Sequence, residues 1–363
     1  MDNQQDLDQI QEIVLEPLED MIQTEEDLRN YRQKLLAEQS WNGRRISIGQ
    51  ANWLMILQAV AFVMVSYGIS QRPSYEITLI NQLLVVLLPG LLLVWLSRRS
   101  MVKTYRLNPL PIRVVTLIIG MTISIYPLGV LINAIVLMGL GQFMELAAPT
   151  VLAETGLGAY LQAILLVCII PAICEEMMFR GIMLNAYEED GKRYAIWATA
   201  LLFGIFHFSL QNLIGPFLLG ALLGFLTMKT GSIYAAMIAH FVHNFISNTI
   251  IHGMRLVHLV DTAEKRLPNV EQIATQDLAI AFGAVGLFVI LGLFIFIRLA
   301  QKLVEVQRQQ ELMPKPLESQ EAKIRKNQEF LPPGKDNIFE QTPIWLLVLM
   351  YVIINVVRIV YAK

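Results

Sequence analysis

Two glutamates, Glu175 and Glu176, stand side by side in an otherwise apolar stretch, PAICEEMMFRGIMLNAY, with Arg180 one helical turn further on. A second apolar stretch, LLFGIFHFS, carries His207, and a third, GSIYAAMIAHFVHNFISN, carries His240, His243, Asn244 and Asn248. A carboxylate and imidazoles can move protons, and N–H donors of imidazole and carboxamide can stabilise a developing negative charge. Charged groups are costly inside a hydrocarbon core, so ionisable residues in such segments point to function by default.

Helical spacing sorts these residues. Glu176 and Arg180 are i,i+4, with the acid N-terminal to the base, the better orientation for an ion pair. Glu175 lies about 100° further round the helix, so it is expected to face the site while Glu176–Arg180 braces the helix. His240 and Asn244 are also i,i+4 and share a face. The turn YEEDGKR centres near Asp190, fifteen positions after Glu175 and seventeen before His207. At 1.5 Å per residue the two lie level, about 22 to 26 Å along an antiparallel hairpin. The turn KTG at 229–231 puts His240 and Asn244 at about 15 to 21 Å on the same scale. His243 reads as a packing or interface residue, Asn248 and Ser209 as helix–helix hydrogen bonders, and Cys174 as a small core residue.

The elements that must position these groups are membrane spans. Of the 363 residues 55% are hydrophobic and only 16% charged, against about 25% charged in soluble domains. Mean hydropathy is +0.51. Apolar runs of roughly 18 to 25 residues recur, the length that crosses a hydrocarbon core. The fold class expected is all-α, a polytopic membrane helix bundle of eight to nine spans around an intramembrane polar site. Nine are placed, at 51–71, 77–97, 113–140, 158–187, 193–209, 213–228, 232–251, 277–299 and 344–361. Arg358 interrupts the last, where it is expected to snorkel.

Charge sets the orientation and the outlying regions. Arg44, Arg45, Arg98, Arg99, Lys103, Arg106, Arg113, Lys192, Arg193, Lys229 and Lys302 fall on one side of the spans, and only Arg72, Arg255, Lys265, Arg266 and Lys363 on the other, which makes the first side and the N-terminus cytoplasmic. The net charge of −2 leaves no nucleic-acid footprint. Cys168 and Cys174, both within one apolar segment, provide no disulfide framework. The organisation expected is an acidic cytoplasmic extension at 1–50, helices at 51–112 and a functional core at 113–255. A loop and eighth helix follow at 256–299, then a charged cytoplasmic stretch at 300–343 and a last helix at 344–363.

The order Glu-Glu-x-x-x-Arg (Glu175, Glu176, Arg180), Phe-x-x-x-His (Phe203, His207) and His-x-x-x-Asn (His240, Asn244) resembles the CPBP, or type II CAAX prenyl endopeptidase, family of intramembrane proteases. The FRG after the acidic pair and the GS-I and AH segments are also similar, so the likeness covers 120–255. The resemblance implies peptide-bond hydrolysis in the membrane. Glu175 would activate water with help from His207, His240 and Asn244 would stabilise the oxyanion, and Glu176 and Arg180 would hold the site together. It implies as cofactor none or one zinc ion; a metal would take Glu175, His207 and His240, but HExxH is absent and the metal-independent reading is preferred. The expected substrate is a membrane protein or lipidated peptide within the bilayer, with protein partners at the charged termini. The rival reading is a non-catalytic membrane scaffold or a bacteriocin-immunity or signalling factor on the same fold.

Overall fold

The computed structural model describes residues 46–68, 75–146, 156–256, 275–312 and 338–361. The acidic extension up to residue 45, the loop 257–274 and the stretch 313–337 lie outside the described residues. The described residues are mainly helical, with no strand among them. Its long segments are α1 (Ile48–Gly68), α2 (Tyr75–Leu96), α3 (Ile112–Leu140), α4 (Leu157–Asp190), α5 (Lys192–Ile205), α6 (Ile214–Thr230), α7 (Ile233–Leu256), α8 (Thr275–Leu312) and α9 (Ile338–Tyr361). Seven of them are long and apolar enough to cross a membrane. The two that miss are α5, which has only 14 residues, and α7, which has 24 but carries too many polar groups. The expected count of eight to nine spans rests on these two.

Local sequence explains where the helices start, widen and stop. Ser47 Oγ accepts from Gln50 N, and Gln50 Oε1 accepts from Ser47 N, a reciprocal cap at the start of α1. Gly231 adopts φ +63° to end α6, and Gly191 adopts φ +111° between α4 and α5, so both expected turns lie where the sequence places them. α2 and α4 are not regular. Ile80–Leu87, Ile164–Ile169 and Met177–Met183 are wound wider, with i→i+5 hydrogen bonding. The first two segments immediately precede helical turns that contain Pro89 and Pro171, whose missing N–H breaks the ordinary ladder.

Small residues let the helices approach closely, as packing between membrane helices requires. A Cβ on Gly220 would lie 3.0 Å from Ala200 Cα, which brings α5 and α6 together. A Cβ on Gly292 would collide with the Ser124 carbonyl oxygen, which fixes α8 against α3. At one end of the bundle the 97–111 connector is stitched to both turns. Arg106 pairs with Glu188, Asn108 Nδ2 donates to Gly231 O at 2.6 Å, and Ser232 Oγ donates to Asn108 O at 2.6 Å. The basic connections at 98–106, 192–193 and 229 therefore share one end. There Tyr105 is buried, and burial pushes its phenol above the ordinary range.

Candidate functional site

Glu176 is fully buried and is the hub of the site. Its Oε1 accepts from Arg180 Nη1 at 3.1 Å and from His240 Nδ1 at 2.7 Å. Arg180 Nε lies 3.1 Å from Glu176 Oε2, near enough for charge attraction but off the line of a hydrogen bond. Arg180 Nη2 donates to Gly220 O at 3.0 Å, and its guanidinium lies 4.8 Å from the centre of the Phe203 ring. One carboxylate thus ties α4 to α7, and its arginine partner ties α4 to α6 and α5. Gly181 is needed next door, because a Cβ there would collide with the buried Tyr105 ring.

Glu175 points away from that network, as its rotation about α4 predicts. Its side chain is 14% exposed, and its Oε2 lies 4.0 Å from His240 Nε2. The other oxygen accepts from Gln82 Nε2 at 2.8 Å. Gln82 sits on the widened part of α2, is buried, and leaves its Oε1 without a partner among the described residues. Sequence reasoning missed Gln82, although the pair Asn81–Gln82 inside the apolar run ITLINQLLVVLL is a readable signal. Gln82→Leu is expected to lower kcat/KM by about tenfold, the scale of one hydrogen bond to a charged group. Kinetics on folded protein would check it, and an unchanged kcat/KM would show that Gln82 leaves Glu175 alone.

His207 is placed differently from the expectation. The predicted span 193–209 stops at Ile205, and His207 lies just beyond the end of α5, not inside it. Gly204, where a Cβ would lie 2.8 Å from Leu213 O, lets the returning chain cross over the end of α5. His207 Nδ1 donates to Phe203 O at 2.8 Å, so its Nε2 remains the acceptor in the neutral ring. Among the described residues it makes no hydrogen bond to Glu175, His240 or Asn244. Phe203 links the two imidazoles instead, edge-on to His207 at 5.1 Å and to His240 at 5.8 Å between ring centres. Phe208 follows with φ +48°, a strained backbone that costs about 1–3 kcal/mol in a non-glycine residue.

Asn244 also carries a load that the sequence did not show. Pro171 has no N–H to offer the Val167 carbonyl four residues back, and Asn244 Nδ2 donates to that carbonyl at 3.0 Å. One N–H of the amide remains for other use. His243 packs against Tyr126, with ring centres 5.3 Å apart, in keeping with its expected packing role. Asn248 is buried, but its Nδ2 has no partner among the described residues. Cys168 and Cys174 are buried free thiols.

The donors expected for a metal are not gathered into a ligand set. Among the described residues no three His, Cys, Asp or Glu side chains lie close enough together to hold an ion. One supporting feature of a metal histidine, an N–H given to a carboxylate, is present at His240. His207 lies just beyond the end of α5, and its ring nitrogen Nδ1 is bonded to Phe203 O.

Comparison with curated proteins and with solved structures yields no match. The segment from the start of α4 into α7 does match a known family. Residues 157–246 fit the family model described as Rce1-like: Type II CAAX prenyl endopeptidase Rce1-like, which supports an intramembrane endopeptidase at the level of the family.

Proposed function

We propose that the chain hydrolyses a peptide bond of a membrane-associated or lipidated substrate, with Glu175 as the base. The observation that carries this is the placing of Glu175. It is held by Gln82, lies 4.0 Å from His240 Nε2, and borders a buried ion-pair network that fixes the histidine. Water placed between Glu175 and the scissile carbonyl loses a proton to the carboxylate as its oxygen attacks the carbon. His207 Nε2, the free acceptor of its ring, orients that water. The carbonyl electrons move onto oxygen, where His240 Nε2–H in the imidazolium form and the second N–H of Asn244 stabilise the charge. The proton held by Glu175 then passes to the departing amine as the C–N bond breaks.

The remaining assignments follow the same reading. The catalytic chemistry is metal-independent, the substrate is a membrane protein or a lipidated peptide, and the bilayer is the working medium. The family description makes a prenylated peptide ending in Cys-aliphatic-aliphatic-X the first probe. The N-terminus is cytoplasmic on this reading, supported by the basic connections that cluster at one end of the bundle.

Purified full-length protein in liposomes, given a quenched prenylated peptide of that type and its unprenylated twin, tests the activity. Cleavage of the prenylated probe, identified by product mass, supports the reading. Failure on both, together with nothing captured from membranes by a Glu175→Gln trap, would remove it. Activity is expected to survive dialysis against a zinc chelator. Loss of activity that added zinc restores would overturn the metal-independent assignment.

A further inference from the structure

The geometry points to α9, which lies outside the segment 157–246 that matches the family model, as the element that sets the position of His207. Asn355 and Arg358 are its positioning residues. Asn355 is buried, and its Nδ2 donates to Tyr351 O one turn back at 2.9 Å, which fixes the amide. Its Oδ1 accepts from Leu210 N at 2.7 Å, at the first residue of the one-turn helix Leu210–Asn212. Arg358 Nη1 donates to Phe208 O at 2.7 Å. The two bonds therefore grip the backbone one and three residues after His207, on either side of Ser209.

That grip falls where the chain needs it. Phe208 has φ +48°, and a non-glycine residue keeps such a backbone only when its surroundings over-determine it. Its buried ring supplies one constraint, packing on Phe62 of α1 at 6.2 Å and on Phe206 at 5.8 Å between ring centres. The hydrogen bonds from α9 supply the others. Without them the reversal after α5 is free to relax, and the His207 ring moves with it. Arg358, an exposed residue near the end of α9, reaches with Nη1 to a carbonyl that the reversal leaves without a helical partner.

The test uses Asn355→Leu and Arg358→Leu in the full-length protein, with Asn355→Asp and Arg358→Lys as conservative partners that keep an acceptor and a donor. Hydrogen–deuterium exchange of peptides spanning 206–213 is expected to speed up by about tenfold in each Leu variant, the loss of about one hydrogen bond. Peptides from α4 should be unchanged. The kinetic half rests on the endopeptidase reading: kcat should fall by about 10- to 100-fold with KM unchanged, and the conservative variants should recover most of it. Unchanged exchange at 206–213 in both Leu variants overturns the inference. Faster exchange across the whole bundle also overturns it, because α9 would then be a folding element only. If the wild type cleaves no probe but 206–213 is selectively loosened, the positioning role stands and the activity assignment fails.

Discussion

Glu175→Gln is expected to lower kcat by about a thousandfold, within the range that a positioned general base contributes. The substitution keeps the shape and the polarity of the side chain. Its Oε1 can still accept from Gln82 Nε2, so the bond from α2 at 2.8 Å has a counterpart in the variant. What the amide lacks is the ability to take a proton from water. The hydrogen bonds among Glu176, Arg180 and His240 do not involve Glu175, which borders them only at His240 Nε2, 4.0 Å away, so the variant should melt with the wild type. Turnover of a quenched peptide in liposomes, paired with a thermal melt, makes the comparison. A kcat within about tenfold of wild type would show that some other group activates water.

Arg180→Met is the second large effect, and it falls on stability. The guanidinium is 1% exposed and is shared between Glu176, Gly220 O and the Phe203 ring. Removing it leaves a fully buried carboxylate with only His240 as partner, and breaking a buried pair from one side costs about 3–5 kcal/mol. Removing both charges is different, because an apolar or neutral replacement of a buried pair is often close to neutral. Glu176→Gln combined with Arg180→Met should therefore be more stable than Arg180→Met alone, since the amide oxygen introduced by the first change can still accept from His240. Equilibrium unfolding in mixed micelles of the two singles and the double would measure the coupling. A double variant no more stable than Arg180→Met would mean that the cost comes from lost packing, not from a stranded charge.

These two effects separate chemistry from architecture within a pair of adjacent residues. Glu175 and Glu176 differ by one step along α4, yet the first is bonded to Gln82 and the second to Arg180 and His240, with His240 Nε2 lying 4.0 Å from Glu175. A rotation of about 100° per residue gives them different hydrogen-bond partners and leaves His240 between them. The wider winding that starts at Met177 leaves the i,i+4 contact to Arg180 intact.

That division was readable in the sequence because it depends on local quantities. The expense of a charge in an apolar run singled out Glu175, Glu176 and Arg180, and helical rotation assigned their faces. The same arithmetic located the turns at 188–191 and 229–231, but the bond between Glu176 and His240 that joins α4 to α7 was not expected from it. The tertiary structure decided the rest. The end of α5 at Ile205 depends on the crossing of Leu213 over Gly204, a contact between helices that no periodicity announces. Gln82 reaches Glu175 only because α2 packs beside α4, and lipid tails as apolar as the helices leave no pattern to mark the facing side. Asn244 answers a carbonyl freed by a proline 73 positions earlier, and Arg358 a carbonyl 150 positions earlier. Backbone partners have no side-chain signature, so the sequence by itself determined which groups are costly in the membrane, and only the folded bundle determined which of them meet.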